Sequence, residues 1–231
     1  MATQFLTAIF VTAAFAGLAY ALGMVSRSGA LGGLLVGTTI YASLGSAGFA
    51  VLALFVVGGS VLTKIGYQSK QRTGTAQEQG GRRGARNALA NCAVAVLCAV
   101  LAATTGAAFF TVAFVASLGA AFADTSESEV GQLFGRTPRM ITTWRKVPPG
   151  TDGAISLPGT FAGVTAACLT AALALALNLL ETPQTALLVT LAALLGTAAD
   201  SFIGSLAPHA GNELTNVLCT LVAAVLAAIL T

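Results

Sequence analysis

Asp124, Glu127 and Glu129 stand among Thr125, Ser126 and Ser128 in the run Ala-Asp-Thr-Ser-Glu-Ser-Glu-Val-Gly, residues 123–131. Carboxylates interleaved with hydroxyls are hard oxygen donors. Such a set suits Mg²⁺, which shares its coordination shell with phosphate oxygens. On an ideal helix Asp124, Glu127 and Ser128 fall on one face, at i, i+3 and i+4. Glu129 falls about 140° round from Asp124, at ~100° per residue, and joins it only if the helix unwinds. A solvated acidic loop is the plain alternative. The run closes an apolar stretch, however, and carboxylates near membrane depth are costly and rarely idle.

A second segment, Lys146 to Thr160, reads Lys-Val-Pro-Pro-Gly-Thr-Asp-Gly-Ala-Ile-Ser-Leu-Pro-Gly-Thr. Prolines restrict its backbone, and glycines free it. Gly159 and Thr160 open the next apolar run. Backbone N–H groups of the Gly150–Gly153 loop, leading into a helix that opens at Gly159-Thr160, make an anion site. An ordinary Pro/Gly turn is the common fate of such composition.

A third segment, Lys64 to Asn91, carries Lys70, Arg72, Arg82, Arg83 and Arg86, and then Asn87 and Asn91. Arginines among glycines hold phosphate oxygens in pairs, although a patch facing anionic lipid would use the same residues. No GxxxxGK[ST] run occurs, so a P-loop is excluded. Asp200-Ser201 near one apolar end and Asn212-Glu213 near the next complete the polar groups of interest. Asn212 also suits a helix cap. His209 reads as a loop residue.

These segments need elements to position them. The chain has 231 residues, 56% hydrophobic and 8% charged, with a mean hydropathy of +0.85. Soluble domains carry roughly a quarter charged residues. The expectation is an all-α polytopic membrane bundle of about seven or eight transmembrane helices, several of them short, forming a single integral domain over 1–231. Nucleic-acid binding is not expected, because no soluble basic domain exists to carry it. Cys92, Cys98, Cys168 and Cys219 lie in apolar runs without CxxC spacing and read as packing residues. The first apolar run has no basic flank and is long enough to span.

Apolar runs fall at about 4–25, 29–44, 46–63, 88–104, 106–123, 159–180, 184–205 and 214–230. Tight hairpins are expected near Gly45-Ser46 and Thr104-Thr105-Gly106. With both present, every Lys and Arg falls on one side, in loops that include about 64–87 and 124–158. Glu181 is the only charge in the opposite loops. The positive-inside bias assigns the basic loops to the cytoplasm.

The acidic run, the Lys146–Thr160 segment, the Lys64…Lys70…Gly80-Gly81-Arg82-Arg83…Asn87…Asn91 loop, Asp200-Ser201-Phe202-Ile203-Gly204 and Asn216 together resemble the phytyl-phosphate kinase family. Its members are integral membrane proteins of vitamin E (tocopherol) and phylloquinone biosynthesis, with bacterial, archaeal and animal relatives. The resemblance implies transfer of a phosphoryl group from a nucleoside triphosphate, CTP by family expectation, to a prenyl monophosphate, giving the diphosphate. By match to the family motif, Asp124, Ser128 and Glu129 are the recurrent acidic-run positions, and Glu127 stands where a small residue is usual. Family pattern and helix geometry therefore favour different glutamates.

On this reading Asp124, Glu129 and Asp200 are catalytic, and Mg²⁺ is held among Asp124, Glu127, Glu129 and Asp200. Lys64, Lys70, Arg82, Arg83 and Lys146 hold donor and acceptor phosphates. The Gly150–Gly153 backbone cradles part of the triphosphate, with Asn87, Asn91, Ser128, Ser156, Gly159, Thr160 and Asn216 in supporting binding roles. In the Gly150–Ser156 loop the family more often has Asn where this chain has Asp152. A cytidylyltransferase acting on a lipid phosphate and a transporter of phosphorylated lipid are the alternatives. Self-association is left open by the sequence.

Overall fold

The computed structural model describes residues 2–231. One glycine decides how the longest apolar run folds. Helix α2 (Arg27–Lys64) would extend about 57 Å if straight, at ~1.5 Å per residue. Gly45 interrupts it with φ 67° and ψ −160°, a conformation in which an L side chain is strained. The Lys64 ammonium then donates to the Leu22 carbonyl at 2.5 Å, so the run ends beside its own beginning. Residues 27–44 and 46–64 are the two arms of a hairpin. A second hairpin joins α5 (Ala85–Thr105) to α6 (Ala108–Phe134) through Gly106, φ 71°. Both expected turns are present.

Helix α1 (Ala2–Ala21) precedes α2, and α7 (Leu157–Ala176), α8 (Pro183–Leu206) and α9 (Asn212–Leu230) follow α6. Among the described residues seven helices are long and apolar enough to cross a membrane. Counting the two arms of α2 separately gives the eight passes expected from the apolar runs. Two short helices, α3 (Tyr67–Arg72) and α4 (Glu78–Gly81), fold the large basic loop. Strands β1 (Arg139–Met140) and β2 (Ala154–Ile155) pair antiparallel and close the loop between α6 and α7.

Helix α6 is the axis of the bundle and packs on α2, α5, α7, α8 and α9. Of its apolar stretch 72% is buried, against at most 44% in any other spanning helix. Small residues permit the close crossings that lipid-embedded helices use. A Cβ at Gly196 of α8 would sit 2.6 Å from the Cys219 carbonyl of α9, and one at Gly159 of α7 would sit 2.7 Å from the Glu127 carbonyl of α6. Cys92, Cys98 and Cys219 are buried packing residues, and Cys168 is exposed on the bundle's outer surface.

One departure matters for the site. The acidic run was expected in a loop beginning near 124, yet α6 continues without a break to Phe134. The helix itself and its neighbours supply what Ser126 and the two glutamates need. Ser126 donates to the Phe122 carbonyl at 2.7 Å, and Lys70, Thr63 and Thr197 meet the two glutamates.

The loops between α1 and α2, between α2 and α5, between α6 and α7 and between α8 and α9 share one end of the bundle. Ser26 N donates to Arg83 O at 3.0 Å, and Arg83 N to Met24 O at 3.1 Å. Thr142 and Ser205 share a 2.6 Å hydrogen bond, and Arg86 meets Glu213 at 3.5 Å. All the lysines and arginines lie at this end.

Candidate active site

Because α6 stays helical, Asp124, Glu127 and Ser128 present one face, and that face lines a cavity of about 270 Å³ at the loop end. Helix α8 answers with Asp200 and Ser201, the α6–α7 loop with Gly150, Thr151, Asp152 and Gly153, and α9 with Asn212 and Thr215. Asp124 lies within electrostatic range of Asp200 and Glu127, and Asp200 within range of Asp152. Four carboxylates thus face one cavity, whose lining contains no lysine or arginine.

Glycines let the walls close. A Cβ at Gly163 of α7 would collide with the Glu127 carboxylate, so α7 leaves that side chain its place. Thr197 of α8 donates to Glu127 Oε1 at 3.0 Å. The Gly150–Gly153 loop docks on α8: Gly153, at φ 76°, leaves no room for a Cβ against the Ser205 backbone, and Gly204 faces Asp152 and Gly153. Strand pairing and the Ile141 N to Gly153 O bond at 3.1 Å hold the loop's other flank.

The start of α7 adds positive potential to the lining without any cationic side chain. Ser156 caps α7, accepting from Gly159 N at 3.2 Å, and Ser156, Gly159 and Thr160 line the cavity. With Gly159 N capped and Pro158 lacking an N–H, what the α7 start offers is chiefly the positive end of its helix dipole. Carboxylates and a helix start lining one cavity suit a cation shared with phosphates.

The donor set also fits such a cation. Asp200 Oδ1 is buried with no hydrogen-bond partner, an expensive state for a carboxylate oxygen. Among the described residues no three acidic, histidine or cysteine side chains are gathered closely enough to hold an ion unaided. Mg²⁺ characteristically takes one or two protein carboxylates and completes its shell with water and substrate phosphate. Asp124, Glu127 and Asp200, with Ser128 and Thr215 beside them, provide that kind of partial shell.

Several residues singled out from the sequence lie elsewhere. Glu129 points away from the cavity and is buried against Lys70 at 2.5 Å; Thr63 donates to its other oxygen at 2.6 Å. The helix does not unwind, so Glu129 keeps its position some 140° from Asp124, as ~100° per residue requires. Lys70 donates to the Thr63 and Leu62 carbonyls as well, at 2.9 and 3.1 Å, which uses its three protons. Lys64 is tied to Leu22 O. Lys146 is exposed beside Arg139.

Arg83 threads inward between α2, α5 and α6. It meets Thr125 at 3.4 Å and Asn87 at 3.4 Å, and lies 5.6 Å over the Phe55 ring. Burial pushes its guanidinium below the ordinary arginine value, with the Glu129 and Asp124 carboxylates opposing. Asn91 is buried and donates to the Asn87 carbonyl at 2.9 Å, and Asn216 is buried in α9. Arg82 is exposed. None of these residues lines the acidic cavity.

Sequence reasoning missed Gln77, Gln132, Thr197, Thr215 and Gly163. One signal was present. Thr197 and Asp200 repeat the i, i+3 spacing of Asp124 and Glu127, as do Asn212 and Thr215, so three helices each bring a polar pair on one face.

Residues 10–224 match the integral membrane protein DUF92 family. The chain belongs to that family. It is 37% identical over 186 residues to the protein VTE6, chloroplastic, of Arabidopsis thaliana, covering 78% of this chain and 56% of the plant protein. A Synechocystis membrane protein, sll0875, is 34% identical over 200 residues, covering 84% of this chain and 77% of its own length. The Methanocaldococcus jannaschii membrane protein MJ0933 is 30% identical over 205 residues, covering 87% and 84%. The chain therefore spans little more than half of the plant relative and most of the two microbial ones. No solved structure matches it. This DUF92 chain is an integral membrane protein whose acidic and glycine-rich segments meet at one end of a helical bundle.

Proposed function

We propose that the protein is a membrane-embedded prenyl-phosphate kinase, using CTP or another nucleoside triphosphate and Mg²⁺. One observation carries this reading: Asp124, Glu127, Asp152 and Asp200 face one cavity together with the Gly150–Gly153 loop and the α7 N-terminus. The family resemblance supplies the substrate class. The cavity lies where the apolar helices end, at the boundary an isoprenoid chain and a water-soluble triphosphate must both reach. The positive-inside bias puts that end in the cytoplasm.

In the reaction an oxygen of the prenyl phosphate forms a bond to the γ-phosphorus of the nucleotide. The bond from that phosphorus to the β,γ-bridging oxygen breaks, and the nucleoside diphosphate departs with the electron pair. The acceptor is already ionised near neutral pH, so no strong base is required. Catalysis rests on positioning and on neutralising charge.

Mg²⁺ would supply that neutralisation, held by one or two carboxylates drawn from Asp124, Glu127 and Asp200, with water and phosphate oxygens completing its shell. The N–H groups of Gly150, Asp152 and Gly153 would hold phosphate oxygens, beside the positive end of the α7 dipole. Ser128 and Thr215 would orient them. Glu129 has its own partner in Lys70, which moves the second carboxylate of the α6 set to Glu127.

The test is incubation of purified protein with prenyl monophosphates and each nucleoside triphosphate in Mg²⁺, with products resolved by mass. The reading expects prenyl diphosphate and a nucleoside diphosphate, with turnover lost in Asp124→Asn. Pyrophosphate release with a CMP-linked lipid would make the protein a cytidylyltransferase instead. Translocation of phosphorylated lipid in sealed vesicles without nucleotide consumption would make it a transporter.

A further inference from the structure

The charge at the loop end is sorted into two places. The acidic cavity has no cation in its walls. A second, open hollow of about 500 Å³ is lined by Tyr20, Ser26, Arg27, Ser28, Gln79 and Arg82, with no carboxylate. Lys64 joins its rim: a Cβ at Gly23 would lie 3.6 Å from Arg82 Nε and 3.8 Å from Lys64 Nζ. Among the described residues the ion pairs are Lys70–Glu129 and Arg86–Glu213, so no carboxylate answers Arg27, Arg82 or Lys64. Three cations this close repel one another.

The hollow is also furnished with neutral donors. Arg27 Nε donates to the Tyr20 hydroxyl at 3.3 Å, which leaves the phenolic proton free to point inward. Ser26 and Ser28 share a 3.0 Å contact at the start of α2, where unsatisfied N–H groups favour an anion. Guanidinium forks, hydroxyls and a helix start are the groups that recognise phosphate.

The hollow borders the apolar surface as well. Arg27, Leu31 and Leu35 follow one another at four-residue spacing and form one face of α2. Both leucines are exposed, at 71% and 65%. A phosphate seated on Arg27 and Arg82 would have its hydrocarbon running down that stripe. A soluble anion would have no use for it.

We propose that this hollow is a binding site for the phosphate of a lipid headgroup, separate from the acidic cavity. Residues Gln77 and Gln79 connect the two places: Gln77 lines the acidic cavity and Gln79 the basic hollow. The site rests on its own residues and holds whether or not the acidic cavity is a kinase.

The experiment is native mass spectrometry of the full chain released from nanodiscs. Its arms are phosphatidylglycerol, a C20 prenyl monophosphate, uncharged diacylglycerol and inorganic phosphate. The site predicts retained phospholipid or prenyl phosphate and no retained diacylglycerol. Retention should fall by about tenfold or more in Arg27→Gln/Arg82→Gln, since each charge-assisted hydrogen bond is worth roughly that factor. Arg72→Gln/Arg136→Gln removes the same charge from exposed positions outside the hollow and should leave retention unchanged. Equal loss in both double variants would reduce the effect to diffuse surface charge and overturn the site. Displacement of the lipid by millimolar inorganic phosphate would overturn the lipid assignment.

Discussion

Lys70 and Glu129 form a buried ion pair at 2.5 Å, with 1% and 4% of their side chains exposed. It pins the short helix α3 of the basic loop to the C-terminal part of α6, one helical face away from Asp124. The pair is thus a fastening between a loop and the axis of the bundle, and it leaves Glu127 and Asp124 to the cavity.

Removing one partner should strand the other. Glu129→Gln or Lys70→Met is expected to destabilise the protein by about 3–5 kcal/mol, the usual cost of an uncompensated buried charge. The double variant Lys70→Met/Glu129→Leu should recover most of that loss. Thermal unfolding in detergent measures both. If the single variants unfold at the wild-type temperature, the fastening role is wrong.

Gly163 makes room for Glu127, since a Cβ there would collide with its carboxylate. Gly163→Ala should displace Glu127 and cost about 1–3 kcal/mol by overpacking. Gly33→Ala is the control: nothing lies within 4 Å of a Cβ at that position. There the gain in helix propensity, ~1 kcal/mol, should appear as slight stabilisation. Opposite signs in unfolding temperature are the expected outcome. Two changes of the same sign would show that the crowding around Glu127 decides nothing.

Asp200 Oδ1 has no hydrogen-bond partner in its buried position. A divalent ion that satisfies it should stabilise the folded protein. At about a hundred times its dissociation constant, such an ion contributes ~2.7 kcal/mol. Mg²⁺ should therefore raise the unfolding temperature relative to EDTA, and Asp200→Asn should abolish the increment. Equal Mg²⁺ responses in wild type and Asp200→Asn would remove Asp200 from the ion's shell.

The sequence carried the bundle's outline because its signals are local. Gly45 and Gly106 sit between apolar runs too long for one pass, and a glycine at positive φ is what a tight turn there needs. The polar end was legible for a similar reason, since charges cannot be left among lipid-facing residues. The angular logic of Asp124, Glu127 and Ser128 was legible too, as helical spacing alone fixes it.

Partnerships across helices were not legible. Nothing near Lys70 announces that Glu129, 59 residues away, will take its charge. Nothing near Gly163 says that a glutamate from α6 will lie over it. Basic residues looked like phosphate ligands by type, yet their side chains went to a buried pair, to a backbone carbonyl and to a separate hollow. Type sets what a side chain can bind; packing decides what reaches it first.

The sidedness of the bundle yields the last prediction. Ser46 and Thr105 are exposed beside the two hairpin turns, and Gln71 and Thr143 are exposed in the basic loops. If Gly45 reverses the chain, the first two lie on one side of the membrane and the last two on the other. In a background with the four cysteines replaced, Ser46→Cys and Thr105→Cys should react with an impermeant maleimide in intact cells. Gln71→Cys and Thr143→Cys should react only after lysis, because their loops carry the Lys and Arg that favour the cytoplasm. A straight α2 would instead put Arg27 and Lys64 on opposite sides. Labelling of Gln71→Cys and Thr143→Cys from opposite sides would therefore undo the shared loop end on which the acidic cavity and the basic hollow both depend.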